Sequence, residues 1–538
     1  VRGNYIQNTY RGIQIQPYLN TTLTQGLVEN NTILPYRTGL YFNYSYADQS
    51  NWLFRNNTIT GIPFPYQPAA ADNFWEGILV QTYSKGQVSF TGNSIDPGSA
   101  SSSDLYNYRE LNRTGGTVNA DLATANSFTT MVRIERAGVL QPDIYIRIQD
   151  AIDAAQAGDA IHAGPGVYTE ALTINKQVSL LGPNAAVDPI SGTRLDEAII
   201  MPPALNFEEG DLINLAASGV TIKGFTLDGD NPALTGNPYD YARALNTSTV
   251  VGGLSFQNNI VTRFNRYGLL LDNNMEIGPS TDNLISHNLF SNINGTGVYI
   301  MYNAYADISE NRFDGVGTGV GTENFWVKNP GAPARISQNS ISSTRRGILY
   351  NNYWGEPSSF TVNGNTINAV DTGTAGAWTG IEVWSQLVDD TVVITDNVIV
   401  AVEPITRTTT GYRVWNIPAS KGLNISGGTV TGTDYGFWSL NKISWDGTSY
   451  YHAPLKVALN ELSLLNQGTA GVYVNDNSDD AADPINQVTL NSLKISGGVL
   501  DLWVDGPQAQ AIVTGSNLEA AASAKFVNGG SGSFAQSN

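Results

Sequence analysis

Along much of the chain a Gly is followed by residues that alternate between apolar and polar, and one coil-length later an apolar pair leads into Asn-x-apolar. The pattern reads Gly268-Leu-Leu-Leu then Asn288-Leu-Phe, Gly297-Val-Tyr-Ile then Asn311-Arg-Phe, and Gly347-Ile-Leu-Tyr then Asn365-Thr-Ile. It continues with Gly380-Ile-Glu-Val then Asn397-Val-Ile. Asn288, Asn311, Asn339, Asn365 and Asn397 are separated by 23, 28, 26 and 32 residues. Period-two alternation over such short runs predicts strands that send one side chain inward and the next outward. A single coil of this length cannot bury its apolar stripe. Coils stacked at about 4.8 Å can, because each strand then pairs in parallel with the coils on either side. The expected fold is therefore all-β, a right-handed parallel β-helix. The Asn positions suit a turn that tolerates left-handed backbone, with their side chains hydrogen-bonded as a ladder, and Gly suits the other corner.

Composition narrows the class further. With 55 Gly in 538 residues and only 14% charged side chains, short strands and tight turns are favoured over long helices. A formal charge of −19 disfavours nucleic acid and anionic lipid as partners. Cys is absent, which removes disulfides and thiolate metal sites, and His162, His287 and His452 are too widely spaced for a local zinc motif. No apolar run reaches the length of a membrane span. An extracellular or cell-surface protein is expected.

One stretch differs from the coils. Ile148-Gln-Asp-Ala-Ile-Asp-Ala-Ala-Gln-Ala-Gly-Asp-Ala-Ile-His-Ala-Gly-Pro-Gly-Val-Tyr-Thr-Glu170, followed by Leu172-Thr-Ile-Asn-Lys-Gln-Val-Ser-Leu-Leu-Gly182, resembles the opening of parallel β-helix repeat proteins of the pectin-lyase-like superfamily. The resemblance implies a short capping helix near 148–157, with Ile148, Ala151, Ile152 and Ala155 on its apolar face. Residues ahead of this cap repeat later ones. Arg37-Thr-Gly-Leu-Tyr-Phe-Asn43 aligns on Arg345-Arg-Gly-Ile-Leu-Tyr-Asn351 at an offset of 308, and Trp75-Glu-Gly-Ile78 aligns on Trp378-Thr-Gly-Ile381 at 303. Tandem modules are expected: coils of a first module over 1–118, a linker over 119–138, and a second module over 139–538 with its cap at 144–182 and coils at 183–528. No cap precedes Val1, so end-to-end self-association through open coil ends is a further expectation.

The superfamily includes polysaccharide lyases, hydrolases and esterases, but fold alone does not assign chemistry, and none of their catalytic motifs is recognisable. The second residue after each corner Gly should face outward, forming a row of Leu270, Tyr299, Gly321, Leu349, Glu382, Arg413, Trp438 and Tyr473. The fourth residue gives Asp272, Met301, Glu323, Asn351, Trp384, Trp415, Leu440 and Asn475. Glu382 beside Arg413, with Trp384, Trp415 and Trp438 around them, could bind a sugar chain, although aromatics also shield sheet faces and opposite charges on adjacent strands are ordinary pairs. If the chain is catalytic, Glu382, Arg413 and Glu323 are the candidates. The two carboxylates lie two coils apart, roughly 9.6 Å, against about 5–9.5 Å for a catalytic pair. Acidic loops at Asp228, Asp230 and Asp240, and at Asp476, Asp479 and Asp480, could hold calcium but match no known calcium repeat; no other cofactor is implied.

Together these features favour a non-catalytic surface-layer, filament, stalk or adhesin component. The alternative is a polysaccharide-active lyase or hydrolase, or a carbohydrate-binding module, using the outer face.

Overall fold

A computed structural model describes residues 1–16, 25–43, 51–65, 73–81, 86–111, 115–235, 238–247, 249, 251–272, 283–301, 305–323, 334–352, 359–371, 376–385, 390–401, 405–415, 417, 422–441, 443–445, 450–452, 455–476, 485–515 and 524–535. The architecture is a parallel β-helix. The chain divides into two compact units, the first comprising Val1–Leu172, Gln177–Pro183 and Leu195–Ile199, the second Thr173–Lys176, Asn184–Arg194 and Ile200–Asn538.

In the second unit each coil contributes three strands to three parallel stacks. Ser255–Gln257, Leu284–Ser286 and Asp307–Ser309 begin the first stack. Ile260–Phe264 and Leu289–Ile293 begin the next, and Tyr267–Asp272 and Thr296–Met301 the third. The register lines up inward residues of one kind: Val261, Phe290, Phe313, Ile341, Ile367, Ile399, Val430, Leu464 and Ile495 are successive partners. All nine are buried. Each such side chain contributes about 1.5–3 kcal/mol through lost apolar surface, and only a stack of coils can supply that burial.

Two polar signals fix the corners. The Asn ladder runs Asn259, Asn288, Asn311, Asn339, Asn365 and Asn397; in each step the Oδ1 of the next Asn accepts the backbone N–H of the one before, at 2.9–3.0 Å. The left-handed residue of this turn is the one preceding the ladder Asn: Asn258, His287, Glu310, Gln338 and Asp396 have φ of 55–57°. The ladder Asn itself is turned inward, where its amide replaces the sheet hydrogen bonds that the bend interrupts. At the other corner, Gly is required by contact and not by φ. A Cβ on Gly297, Gly319, Gly347, Gly380 or Gly411 would stand 2.4–2.8 Å from the carbonyl oxygen of the corner Gly in the next coil.

The first unit uses the same devices. Its ladder runs Asn4, Asn31, Asn57, Asn93 and Asn126, and strands Tyr5–Ile15, Thr32–Asn43, Phe74–Gln81 and Asp104–Leu111 pair in parallel. The last of these also pairs antiparallel with Val139–Tyr145. The short helix is Ile148–Ala154, with Ile148, Ala151 and Ile152 buried. Its first turn is closed by the Glu170 carboxylate, which accepts the N–H groups of Ile148 at 2.8 Å and Gln149 at 3.0 Å.

Candidate functional site

The outward row expected after the corner Gly residues is present in register: Leu270, Tyr299, Gly321, Leu349, Glu382, Arg413, Trp438 and Tyr473 are successive partners, continued by Trp503 and Lys525. The parallel row is interrupted. Asn351 pairs with Ser385 and not with Trp384, because the register shifts between Tyr350 and Asn351. The extra residue is a β-bulge, which re-aims a side chain; Trp384 is accordingly 38% exposed.

Gly321 creates the concavity. It leaves the outward row without a side chain between Tyr299 and Leu349, and a Cβ there would meet the Tyr299 ring at 2.7 Å. Above it lies a cleft of 370 Å³ lined by, among others, Tyr267, Tyr299, Glu323, Arg345, Arg346 and Trp384. Tyr267 and Tyr299 stack with ring centroids 5.1 Å apart and planes 1° from parallel, and the Tyr299 hydroxyl donates to Glu323. Glu323 is the only carboxylate among the described residues that line the cleft.

Glu382 sits elsewhere. It is 2% exposed and accepts a hydrogen bond from Arg346 Nε, with Arg413 Nε 3.9 Å away. The structure thus makes Glu382 an anchor that holds Arg346 at the cleft wall. Arg413 lies over Trp415 at 4.3 Å and over Trp438 at 4.9 Å. Burial lowers its pKa while Glu382 raises it, and a guanidinium so placed stays charged. Trp438 also packs on Tyr473, at 5.5 Å, and Tyr473 on Trp503, at 4.5 Å. These ring faces are occupied by neighbouring coils. Of the three Trp singled out from the sequence, Trp384 alone lines the cleft.

Arg345 and Arg346 were not legible as site residues. Arg346 has Glu382, whereas Arg345 has no carboxylate within ion-pair distance among the described residues. Burial, followed by repulsion from Arg346, pushes the Arg345 pKa down. The signal in the sequence is two adjacent Arg immediately before a corner Gly, facing a coil whose outward row lacks a side chain. The described cleft lining thus holds three arginines and one carboxylate, Glu323, with Arg266 and Arg346 paired to Glu209 and Glu382.

The loop of Asp228 and Asp230 holds a protein cation, and Asp240 and Asp476 meet backbone N–H groups. Arg263 donates to Asp228 at 2.8 Å through Nε and pairs with Asp230 at 3.0 Å, and the Asp240 carboxylate accepts the Asn231 N–H at 2.6 Å. Asp476 accepts the Gln508 N–H at 2.9 Å; Asp479 and Asp480 lie outside the described residues. Among the described residues no group of three acidic or His side chains is arranged for a metal ion. His162 and His287 each sit 3.0 Å from a Glu, Glu135 and Glu310 respectively, and the His452 side chain lies outside the described residues. No described helix is long and apolar enough to cross a membrane.

Residues 240–434 match the family model described as a right handed beta helix region, in agreement with the fold that the repeat implied. No curated protein gives a sequence match. Similar solved structures include the catalytic unit of a thermostable GH87 alpha-1,3-glucanase from Streptomyces thermodiastaticus, at 16% identity and a TM-score of 0.39, covering 72% of this chain and 65% of that one. Another is a family 28 exopolygalacturonase from Yersinia enterocolitica, at 11% identity and a TM-score of 0.37, covering 72% and 74%. The chain thus spans about two thirds of the glucanase unit. The expectation of a non-catalytic surface-layer, filament, stalk or adhesin component is corrected by these neighbours, which are polysaccharide-active enzymes. At such identities they share the fold alone, so the chemistry of this cleft rests on its own side chains.

Proposed function

We propose that this chain binds and cleaves an acidic polysaccharide in the cleft above Gly321, acting outside the cell. The observation that carries the reading is the meeting of Arg345, which no described carboxylate pairs, anchored Arg346 and the Tyr299–Glu323 pair in one concave site. Guanidinium groups match carboxylates in a planar, two-bonded geometry, while Trp384, 38% exposed and tilted against Trp415 at 5.9 Å, borders the cleft with an apolar ring.

The chemistry that fits is β-elimination. In a uronate the C5 proton lies next to the carboxylate, so a guanidinium on that carboxylate stabilises the charge that develops as the proton leaves. Glu323 takes the proton, the C4–O bond breaks as the C4=C5 bond forms, and the departing oxygen receives the Tyr299 phenol proton. The hydrogen bond between the two side chains then returns a proton to Tyr299. Hydrolysis by two carboxylates fits less well, because Glu382 is buried in ion pairs and Glu323 is the one carboxylate on the described lining.

Incubation with a soluble polyuronate tests this. New ultraviolet absorbance from unsaturated ends, lost in Glu323→Gln, supports it. Reducing ends without that absorbance indicate hydrolysis and reject the elimination step, and no chain shortening of any acidic glycan rejects the reading.

A further inference from the structure

Glu323 has a second neighbour that the chemistry above does not use. Asn351 is its register partner in the next coil and lines the same cleft. Glu323 therefore lies between Tyr299, which donates to it from the coil before, and Asn351, about 4.8 Å further along the axis. Asn351 is 4% exposed, and its Oδ1 has no hydrogen-bond partner among the described residues. A buried amide in that state is costly, and in a native fold it calls for an explanation.

The coils supply an internal comparison. Asn475 stands at the same place after its corner Gly, and its Nδ2 donates to the Tyr473 hydroxyl at 2.7 Å. Asn43, which the internal repeat places on Asn351, donates in the same way to Tyr41. In both cases the acceptor belongs to the residue two positions before the Asn. At Asn351 that residue is Leu349, so of these three coils the one that opens on the cleft lacks the tie. Asn43 also keeps an unpaired Oδ1; what sets Asn351 apart is the missing tie together with its place in the cleft lining.

We propose that Asn351 reads a free hydroxyl on the sugar seated over Glu323, and so restricts the cleft to polyuronates that are not acylated at that hydroxyl. The assignment rests on the reading of the cleft as a polyuronate site and adds a specificity-determining residue to it. A hydroxyl fits because it both donates and accepts, which satisfies the amide in either orientation of its oxygen and nitrogen. An O-acyl group has lost the donor. The buried amide facing it stays unpaired, and sites built around a hydroxyl discriminate strongly against ligands that lack one. Leu349 contributes by what it withholds, since it has no hydroxyl to occupy the amide from within the coil.

Turnover of polygalacturonate, polyglucuronate and alginate, each compared with its O-acetylated form, tests the proposal on the full chain. On whichever polymer is cleaved, the native chain should favour the free-hydroxyl form by about ten- to a hundredfold. Asn351→Leu, close in volume, should lose most of that preference through slower action on the free-hydroxyl form. Its melting temperature should equal or exceed the native one, because the substitution removes an unpaired buried oxygen. Asn351→Ala is the second variant should the leucine not fit, with the same expectation for the preference. A preference that survives in both variants overturns the proposal, as does equal turnover of the two forms by the native chain; a lowered melting temperature alongside a surviving preference would assign Asn351 to the coil alone. If the native chain cleaves none of these polymers, the proposed function falls, and calorimetric titration with short oligomers of the two forms decides the inference by itself. Tighter binding of the free-hydroxyl form, lost in Asn351→Leu, sustains it, and equal binding rejects it.

Discussion

Glu382 holds Arg346 in an ion pair that is almost wholly withdrawn from solvent on the carboxylate side, while Arg345, its chain neighbour, faces the cleft with no carboxylate within ion-pair distance among the described residues. One guanidinium is fixed by the protein, and on the proposed reading the other meets the glycan. The arrangement makes Glu382 a positioning residue with a structural load. Its replacement by Ala would leave Arg346 and Arg413 beside an uncompensated site, at a cost of about 3–5 kcal/mol. Urea denaturation should show that loss, with Glu382→Gln intermediate; an unchanged midpoint in Glu382→Ala would mean the pair is not formed.

Gly321 matters chiefly for the space it leaves in the cleft. A Leu there projects into the cleft and displaces the Tyr299 ring, at an overpacking cost of about 1–3 kcal/mol. Binding of an acidic oligosaccharide should fall by about tenfold or more. Calorimetric titration of Gly321→Leu checks this, and retention of full affinity would place the glycan elsewhere.

The aromatic residues should separate into two classes. Trp384→Ala removes an exposed ring at the cleft and should weaken glycan binding with little effect on melting. Trp438→Ala removes a ring held between Arg413 and Tyr473 and should cost about 2–3 kcal/mol while changing affinity only through stability. Paired melting and binding curves for the two variants decide the matter, and the reverse split would reassign the site.

Glu170 predicts a pH effect. Burial raises its pKa from 4.5 to about 6, against the lowering effect of the N–H groups of Gln149 and Ile148. The folded state therefore holds this proton more tightly than the unfolded state does. The contribution is fully present below pH 4.5, and falls away as the pH rises through about 6, by about 2 kcal/mol. Glu170→Gln cannot ionise, so it should flatten that part of the stability profile. Denaturation midpoints of the two proteins at pH 4.5 and at about pH 7 give the comparison, and parallel profiles would show that Glu170 does not titrate in this window.

The coil architecture was legible because two chemical necessities recur at every turn. Asn288 and its equivalents must bridge to the next coil, and Gly297 and its equivalents must admit the next coil's carbonyl oxygen. Their spacing gave the outward row residue by residue, including Glu382 beside Arg413. What failed was local. A bulge at Trp384 breaks strict alternation and no periodicity announces it. The burial of Glu382 depends on which guanidinium reaches it, and Arg346 comes from a different row. A hollow is also hard to read from a sequence, because Gly321 signals a missing side chain only once its neighbours Tyr299 and Leu349 are known to face the same way.

The most direct test is the rate at which the purified chain forms unsaturated ends on a polyuronate, compared with Glu323→Gln and Arg345→Ala at equal fold stability. The account predicts steady release by the native chain, loss of about 10²–10⁴-fold in Glu323→Gln as expected for removal of a general base, and a raised substrate requirement in Arg345→Ala. A native chain that releases no unsaturated ends from any polyuronate, or a Glu323→Gln variant as active as the native chain, would contradict it.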